Sequence, residues 1–400
     1  AKNEIQHFRI KEKDNSGKLK IHQKLYGREK ELNTLMRYFW KVTSGPSELI
    51  LVGGYSGTGK TALVHEIHQS ITEKRGYFIE GKFDQFQKEV PYFAFTQAFD
   101  GFISLLLTEN EENLSKVREK IKQAVGFEGK VLTKVLPRLK NIIGEQPEVP
   151  YLGGAEAQNR FNFIFRKFIK AIANENHPLV IFVDDLQWAD VSSLSLLKSL
   201  MSDKESMHVL TLCAYRDNEV NESHPFITTI KEIEDTNKRV ARIQIKNLSE
   251  KDVQDLLLDS IKLNASEIAP LSKLVFQKTL GNAFFVAQFL KSLYTSELLY
   301  FDFKRLHWCW DIDKIMNKNI TDNVVELLAE NILQLNKETQ HALKMAACIG
   351  NTFDIETLVV ILESNEQKVK EQLWEALSQD FIVPFDEKYK FSHDRVQQAV

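Results

Sequence analysis

The stretch that decides the fold is GYSGTGKT at residues 54–61, which follows the apolar run Leu49–Val52 and precedes a predicted helix that runs from Ala62 to about Ile71. Its members are Gly54, Tyr55, Ser56, Gly57, Thr58, Gly59, Lys60 and Thr61. Glycines let successive backbone N–H groups turn inward around a phosphate, and the following helix adds the positive end of its dipole. A glycine turn with this spacing by chance is the alternative, but the strand, the helix and the intact Lys-Thr pair argue against it.

The loop therefore predicts a site for ATP or ADP with Mg²⁺. In such a loop, the Lys60 ammonium neutralises the β- and γ-phosphates, and the Thr61 hydroxyl ligates Mg²⁺. Ala62, the first residue of the predicted helix, belongs to the same nucleotide-binding set.

A second apolar run, Leu179–Val183, ends in the paired carboxylates Asp184 and Asp185. The carboxyl end of a central strand is where ligands bind in parallel sheets. Together with the loop, the pair predicts that Asp184 holds Mg²⁺ and that Asp185 orients or activates a water toward the γ-phosphate. Two solvated acids on a surface turn would be the interpretation if the loop were absent.

A third run, Leu210–Tyr215, ends in Arg216. An arginine after the strand that follows the paired acids is placed to reach the γ-phosphate. On spacing alone, a salt-bridged surface arginine explains it equally well.

Short apolar runs without strict alternation recur between Leu49 and Ile245, at residues 49–52, 77–79, 179–183, 209–214 and 242–245. Strands buried on both faces of a parallel sheet have this pattern, with helices as crossovers. The pattern predicts a doubly wound α/β domain. The aromatic residues of Asn159–Ile172 recur at helical spacing, which predicts a helix facing the core rather than a cofactor site.

After Asn247 the pattern becomes helical, beginning with a capping box in which Ser249 is the N-cap. Residues 301–313 predict a short hairpin or loop. Helices from residue 321 onward, followed by an extended piece at 381–391 that turns at 386–387, predict a winged-helix-like domain. The expected domains are a linker (1–24), a P-loop nucleotide-binding domain (25–246), a helical lid (247–300), a connector (301–320) and a winged-helix-like domain (321–400) that is cut short at its end.

Amino-acid composition and net charge limit the class of protein and the kinds of ligand that this chain can have. The chain has 400 residues, a net charge of −3, 43% hydrophobic residues and 27% charged residues. These values are typical of a multidomain globular protein and give no electrostatic case for nucleic acid as the main ligand. Three scattered cysteines, no signal-like start and no long apolar run predict a cytoplasmic location without a membrane span. Both ends suggest a segment of a longer polypeptide.

Several strings resemble one family when taken together in this order: LYGREKEL, the P-loop, FVDDLQWAD (182–190), AYRDNEV (214–220), HPF (224–226), GNAFFVAQFL (281–290) and FSHDRVQQAV (391–400). The chain resembles the signal-transduction ATPases with numerous domains, a branch of the AAA-related P-loop ATPases. The likeness covers nearly the whole chain. It is strongest to the ATPase module of large bacterial sensor proteins, in which a serine/threonine-kinase-like domain precedes the module and GAF and histidine-kinase domains follow it.

This resemblance implies further site residues. Tyr26, Gly27 and Arg28 would lie on the adenine side of the nucleotide, and Arg216 would be the sensor arginine. His393, followed by Asp394, would read the β-phosphate of ADP and lock a closed state. The lid motif at Gly281 has Ala283 where the family usually has a proline that packs on the base, and this departure leaves open whether the lid makes a fixed contact with adenine.

The resulting hypothesis is a nucleotide-controlled conformational switch with slow ATP hydrolysis, which acts on flanking kinase and sensor domains or on other signalling proteins. Three alternatives stay open. One is a motor-type AAA ATPase that forms a nucleotide-dependent oligomer. Another is a DNA-binding transcriptional regulator that uses the winged helix, although that region is not basic. The third is an interaction scaffold with an inactive nucleotide site.

Overall fold

Five short strands form a parallel sheet in the computed structural model, which describes residues 18–22, 24–85, 87–236, 240–317, 324–385 and 388–400. The strands are β1 Glu48–Gly53, β2 Tyr77–Lys82, β3 Leu179–Asp184, β4 Val209–Tyr215 and β5 Val240–Gln244. Their order across the sheet is β2, β3, β4, β1, β5, and each neighbouring pair runs parallel. Both β1 and β3 are buried along their whole length, which explains their unbroken apolar runs. The predicted α/β fold is confirmed.

The strand order decides where the polar motifs lie. Because the strands are parallel, their carboxyl ends meet at one edge of the sheet, where ligands bind in folds of this kind. The P-loop leaves β1 at this edge, and Asp184 ends β3 there. Arg216 follows β4, which lies between those two strands.

The chain divides into two units, one of residues 28–246 and the other of the described residues up to Gly27 together with Asn247–Val400. We call them the P-loop unit and the helical unit. Residues 1–17 and 23 of the predicted linker lie outside the described residues. The helices of the P-loop unit are α1 Glu29–Thr43, α2 Lys60–His65, α3 His68–Glu73, α4 Phe93–Leu107, α5 Glu111–Val125, α6 Gly129–Val135, α7 Lys140–Ile143, α8 Gly154–Ile172, α9 Val191–Met201 and α10 Pro225–Asp235.

The aromatic stripe predicted on α8 faces the core. Phe161, Phe165 and Phe168 are buried, and the ring centroid of Phe165 lies 5.0 Å from that of Phe99 on α4 in an edge-to-face arrangement. The prediction of a core-facing helix is therefore confirmed.

The helix after the P-loop differs from the single helix predicted to run to about Ile71. It is divided into α2 and α3, because the backbone N–H groups of Glu66 and Ile67 bond three residues back rather than four. The His68 ring at the start of α3 packs on Phe78 of β2, with centroids 4.0 Å apart. This contact accompanies the tightened turn.

The helical unit contains the remaining described elements. They are α11 Glu250–Ile261, α12 Ala265–Thr279, α13 Ala283–Thr295, β6 Leu299–Asp302, β7 His307–Trp310, α14 Ile312–Asn317, α15 Val324–Leu333, α16 Lys337–Ile349, β8 Thr352–Phe353, α17 Ile355–Ile361, α18 Glu366–Ser378, β9 Ile382–Phe385, β10 Lys388–Phe391 and α19 Asp394–Ala399. None of the helices in the described part of the chain is long and apolar enough to cross a membrane.

Local predictions for this unit hold where the structure describes them. Ser249 and Asp252 form the capping box, with reciprocal bonds of 3.2 and 2.8 Å. Strands β6 and β7 form the predicted hairpin. Strand β8, a two-residue strand that pairs with β10, was not predicted from the sequence. The predicted turn at 386–387 lies outside the described residues. The division of this unit into lid, connector and winged-helix-like parts stays a prediction.

Candidate functional site

The P-loop wraps around its own lysine. The Lys60 ammonium is buried and donates hydrogen bonds to the carbonyl oxygens of Gly54, at 2.7 Å, and Tyr55, at 2.9 Å. Gly59 has a φ of +96°, a conformation that strongly favours glycine, and it leads directly into α2. Burial lowers the pKa of Lys60, and the carboxylates of Asp184, Asp185 and Asp217 oppose that shift. The Lys60 ammonium is thus held by carbonyl oxygens of its own loop, with three carboxylates in its electrostatic surroundings.

Two predicted magnesium ligands meet at the sheet edge. The Thr61 hydroxyl donates to Asp184 Oδ2 at 2.9 Å, while the backbone N–H of Asp185 donates to Asp184 Oδ1 at 2.8 Å. A hydroxyl and a carboxylate are the hard oxygen ligands that Mg²⁺ prefers. Within the described ranges, no cluster of three or more histidine, cysteine or acidic side chains forms a ready metal site. The Thr61 hydroxyl and the Asp184 carboxylate fit a Mg²⁺ ion held jointly by the protein and the phosphates of a nucleotide, which is a common arrangement for this ion.

Asp185 is engaged on both carboxylate oxygens. Its Oδ1 accepts from Gln187 Nε2 at 2.7 Å and from Arg216 Nε at 3.1 Å. Its Oδ2 lies 3.4 Å from Arg216 Nη2 and 3.2 Å from the Lys82 ammonium. The side chains of Asp185 and Arg216 are only 5% and 4% exposed. Two cations thus hold the acid that was predicted to activate a water.

Arg216 is fixed from several sides. Its Nη1 donates to Glu219 at 2.9 Å, and its guanidinium carbon lies 4.6 Å from the centre of the Trp188 ring. The Arg216 backbone N–H donates to the Gln187 side-chain oxygen at 3.1 Å. The two residues predicted to act at the γ-phosphate, Asp185 and Arg216, are therefore paired with each other.

The segment predicted to contact adenine is divided between the two units. The Arg28 guanidinium lies in the P-loop unit, is buried, and donates to the carbonyl oxygens of Thr58, at 3.3 Å, and Lys246. Arg28 thereby links the P-loop to the residue at which this unit ends.

Tyr26 and Gly27 lie in the helical unit. The Tyr26 ring is buried, and its hydroxyl donates to Asp259 at 2.9 Å. Burial and this bond raise the pKa of Tyr26 well above its usual range. The φ of Gly27 is +62°, and a Cβ there would lie 2.4 Å from Asp252 Oδ1, so the position requires glycine. The Tyr26 hydroxyl donates to Asp259, and a contact of this segment with adenine stays a prediction.

His393 also lies in the helical unit, as the N-cap of α19. Its Nδ1 accepts a hydrogen bond from the backbone N–H of Arg395 at 3.0 Å, which places the proton of the neutral ring on Nε2. The ring stacks on Phe284 of α13, with centroids 4.0 Å apart. The structure therefore fixes the orientation of His393 within its own unit, and its role at a phosphate stays a prediction.

Lys82 and Gln187 are parts of the site that were not predicted from the sequence. Lys82 is the last residue of β2, and its register partner on β3 is Asp184. The apolar run ended at Ile79, so the sequence did not show that β2 continues for three more residues to the same sheet edge. In the sequence, Gln187 was noted only as a member of the string DDLQWAD, with no role of its own.

The arrangement is that of a P-loop nucleotide-binding domain, and comparison with known proteins agrees. Residues 24–212 match the family model described as "AAA ATPase domain". This segment therefore belongs to the AAA ATPase domain family. It contains the P-loop and the paired acids, and it ends four residues before Arg216.

The matched relatives are large signalling proteins. The chain is 32% identical over 427 residues to Hybrid signal transduction histidine kinase G of Dictyostelium discoideum, a match that covers 91% of this chain and 12% of that protein. It is 20% identical over 405 residues to Histidine protein kinase 1 of Candida albicans, with 87% and 16% covered. The chain thus spans less than a fifth of the length of these relatives.

Among solved structures, the chain is similar to a signal transduction ATPase with numerous domains from Pyrococcus horikoshii that has a tetratricopeptide repeat sensor. That match has 17% identity and a TM-score of 0.47, and it covers 96% of this chain and 43% of the other.

Proposed function

We propose that this chain is a regulatory module that binds ATP and ADP with Mg²⁺, hydrolyses ATP slowly, and changes conformation with the nucleotide bound. The observation that carries the proposal is the 2.9 Å hydrogen bond from Thr61 to Asp184, beside the buried Lys60. It brings the P-loop and the paired-acid strand into one site with the donors that a Mg²⁺–nucleotide complex needs. When bound, Mg²⁺ would supply positive charge against the phosphates.

The state of Lys60 supports a change on binding. Its ammonium now donates to the carbonyl oxygens of Gly54 and Tyr55 in its own loop. Phosphate oxygens would compete for these N–H donors, so the loop is expected to adjust when it fills. Arg28 holds both the Thr58 carbonyl of this loop and the carbonyl of Lys246. A movement of the P-loop would therefore be transmitted through Arg28 to Lys246, the last residue of the P-loop unit.

The pairing of Asp185 with Arg216 and Lys82 supports slow hydrolysis. In this conformation the arginine is held by Asp185 and Glu219, so reaching a γ-phosphate would require the exchange of one buried ion pair and one partly exposed ion pair. ATP can favour the exchanged state because only ATP has the γ-phosphate, and a ligand shifts an equilibrium only by its differential affinity. ADP would leave the present pairing in place.

The relatives are histidine kinases by name, so we further propose that the module acts on kinase and sensor domains of a longer signalling protein. His393 is proposed to sense the β-phosphate of ADP. Tyr26, Gly27 and Arg28 are proposed to contact the adenine side of the nucleotide.

Hydrogen–deuterium exchange of the whole chain with Mg·ADP and with Mg·ATP tests the switch. Both nucleotides should protect residues 54–61, and residues 214–220 around Arg216 should differ between them. The Thr61→Val variant, which keeps the shape but loses the hydroxyl, should lose the Mg²⁺-dependent part of the protection. Equal exchange at 214–220 with both nucleotides would contradict the proposal.

Turnover measured against protein concentration separates the switch from a motor-type oligomer. A switch whose site is complete within one chain keeps a constant specific activity. A rise in specific activity with concentration would show that a second copy completes the site.

A further inference from the structure

The 3₁₀ turn Leu186–Trp188, which joins the paired acids to helix α9, is fixed at both ends. At its start, the Leu186 side chain is buried in the core of the P-loop unit. At its end, Asp190 is the N-cap of α9 and accepts hydrogen bonds from the backbone N–H groups of Ser193, at 2.9 Å, and Tyr92, at 3.2 Å. The turn is therefore a rigid support for any side chain that packs on it.

The side chain that packs on this turn is Arg216. Its guanidinium carbon lies 4.6 Å from the centre of the buried Trp188 ring, and a cation within about 6 Å of an aromatic face is attracted to it. The Gln187 side chain accepts from the Arg216 backbone N–H at 3.1 Å and donates to Asp185 at 2.7 Å. We call this arrangement, in which the guanidinium lies over the ring and bonds to Asp185 and Glu219, the retracted position.

The retracted position is connected to the proposed phosphate site by direct hydrogen bonds. Arg216 Nε donates to Asp185 at 3.1 Å, and the Asp185 backbone N–H donates to Asp184 at 2.8 Å. Asp184 in turn accepts from the Thr61 hydroxyl of the P-loop at 2.9 Å. Strand β4, which leads to Arg216, lies between β1 and β3, the strands that lead to the P-loop and to the paired acids.

Release of the arginine from this position leaves its partners satisfied. Asp185 keeps the Lys82 ammonium at 3.2 Å and the Gln187 donor at 2.7 Å. The Glu219 side chain is 30% exposed, so water can replace the guanidinium there. The Trp188 ring is the contact that water replaces least well, because a cation is attracted more strongly to a desolvated aromatic face than to an exposed one.

We propose that Trp188 sets the preference of the site for ADP over ATP by holding Arg216 in the retracted position. ATP draws the guanidinium toward its γ-phosphate and must offset the lost contact with the ring, whereas ADP binds with the arginine retracted. Trp188 is a positioning residue, since it acts through the arginine and does not itself touch the nucleotide. This inference rests on the proposed function and gives a role to the tryptophan of the DDLQWAD string.

The test compares the Kd for Mg·ADP with the Kd for Mg·AMP-PNP, a non-hydrolysable ATP analogue, in the whole chain. Trp188→Leu keeps an apolar side chain and removes the aromatic face. A desolvated contact between a cation and an aromatic ring is equivalent to a factor of about 3 to 30 in an equilibrium constant. Trp188→Leu should therefore bind AMP-PNP about 3- to 30-fold more tightly, with its Kd for ADP within about twofold of wild type. Trp188→Phe keeps an aromatic face and should restore most of the wild-type ratio.

Two other variants define the effect. Glu219→Gln removes the charge of the second partner and should tighten AMP-PNP binding by about two- to fivefold, because a partly exposed ion pair contributes little. Trp40→Leu is the matched control, since the Trp40 ring also has a cation over it, the Lys74 ammonium at 5.2 Å, but is 41% exposed on α1. It should change neither Kd.

Tryptophan fluorescence reports the release of the arginine without removing the ring. The chain has five tryptophans, and the difference between wild type and Trp188→Phe isolates the emission of Trp188. AMP-PNP should change this emission as the guanidinium leaves the ring, and ADP should leave it unchanged. If Trp188→Leu does not fold, this measurement decides the question alone.

Three results would overturn the inference. The first is weaker binding of both nucleotides by Trp188→Leu, which would show a structural role. The second is an unchanged ratio of the two Kd values in the folded variant. The third is a Trp188 emission that is the same with ADP and with AMP-PNP. Failure of the proposed function is distinct, because the wild-type chain would then bind neither nucleotide.

Discussion

Replacing Arg216 with methionine removes the centre of the buried ion-pair network and should destabilise the P-loop unit. Arg216 makes two bonds to Asp185, of 3.1 and 3.4 Å, and one to Glu219, of 2.9 Å. Removing one partner of a buried pair costs about 3–5 kcal/mol, because the other charge stays buried. Lys82 and Gln187 still contact Asp185 in the variant. We therefore expect the lower end of that range, about 3 kcal/mol.

Differential scanning calorimetry without nucleotide measures this cost. A unit of this size loses roughly 2–4 °C in Tm per kcal/mol, so Arg216→Met should lower its Tm by roughly 6–12 °C. The matched control is Arg242→Met, because Arg242 is 53% exposed and pairs with Glu234 at the surface. An exposed pair is worth at most about 1 kcal/mol, so the control should shift Tm by no more than about 4 °C.

A double variant tests the pairing itself. With Asp185→Asn also present, no buried charge is stranded, and the combined cost should be smaller than the sum of the two single costs by roughly 2 kcal/mol. A Tm for Arg216→Met equal to that of the Arg242→Met control, or strictly additive single costs, would refute the buried pairing.

Three further predictions concern stability. Burial raises the pKa of Asp100, so the charged carboxylate disfavours the folded state at neutral pH. Asp100→Asn should therefore raise Tm at pH 7 by about 2–4 °C, the effect of about 1 kcal/mol. The gain should shrink as the pH falls through the folded-state pKa and disappear below about pH 3, where the carboxyl is protonated in both states. A constant gain across that pH range would contradict this. Gly81→Ala should destabilise the P-loop unit by about 1–3 kcal/mol in calorimetry, because a Cβ at Gly81 would lie 1.8 Å from the Ala94 carbonyl oxygen, and an unchanged Tm would show that α4 does not pack there. Tyr26→Phe should cost about 1 kcal/mol in urea unfolding by losing the bond to Asp259, and a cost above about 3 kcal/mol would show a larger role for that hydroxyl.

The fold and the central part of the site could be predicted because they depend on local pattern. A strand buried on both faces needs a continuous apolar run, and Leu49–Val52 and Leu179–Val183 have one. The meeting of Thr61 with Asp184 follows from parallel strands that end at one edge. Neither the prediction of the buried strands nor that of the Thr61–Asp184 meeting requires knowledge of how side chains are oriented.

What could not be predicted depends on three-dimensional proximity. The pairing of Arg216 with Asp185 joins residues on neighbouring strands through rotamers that the sequence does not encode locally. Lys82 was missed because the end of its strand is polar, and Tyr26 gave no sign that its hydroxyl binds Asp259, 233 residues away.

Isothermal titration calorimetry of Mg·ATP into the whole chain tests the central claim, that the loop around Lys60 binds the nucleotide phosphates. Lys60→Ala removes a charged donor worth about 1.5–3 kcal/mol, so its Kd should be about 10- to 100-fold higher than that of the wild type. An unchanged Kd in Lys60→Ala would contradict the account.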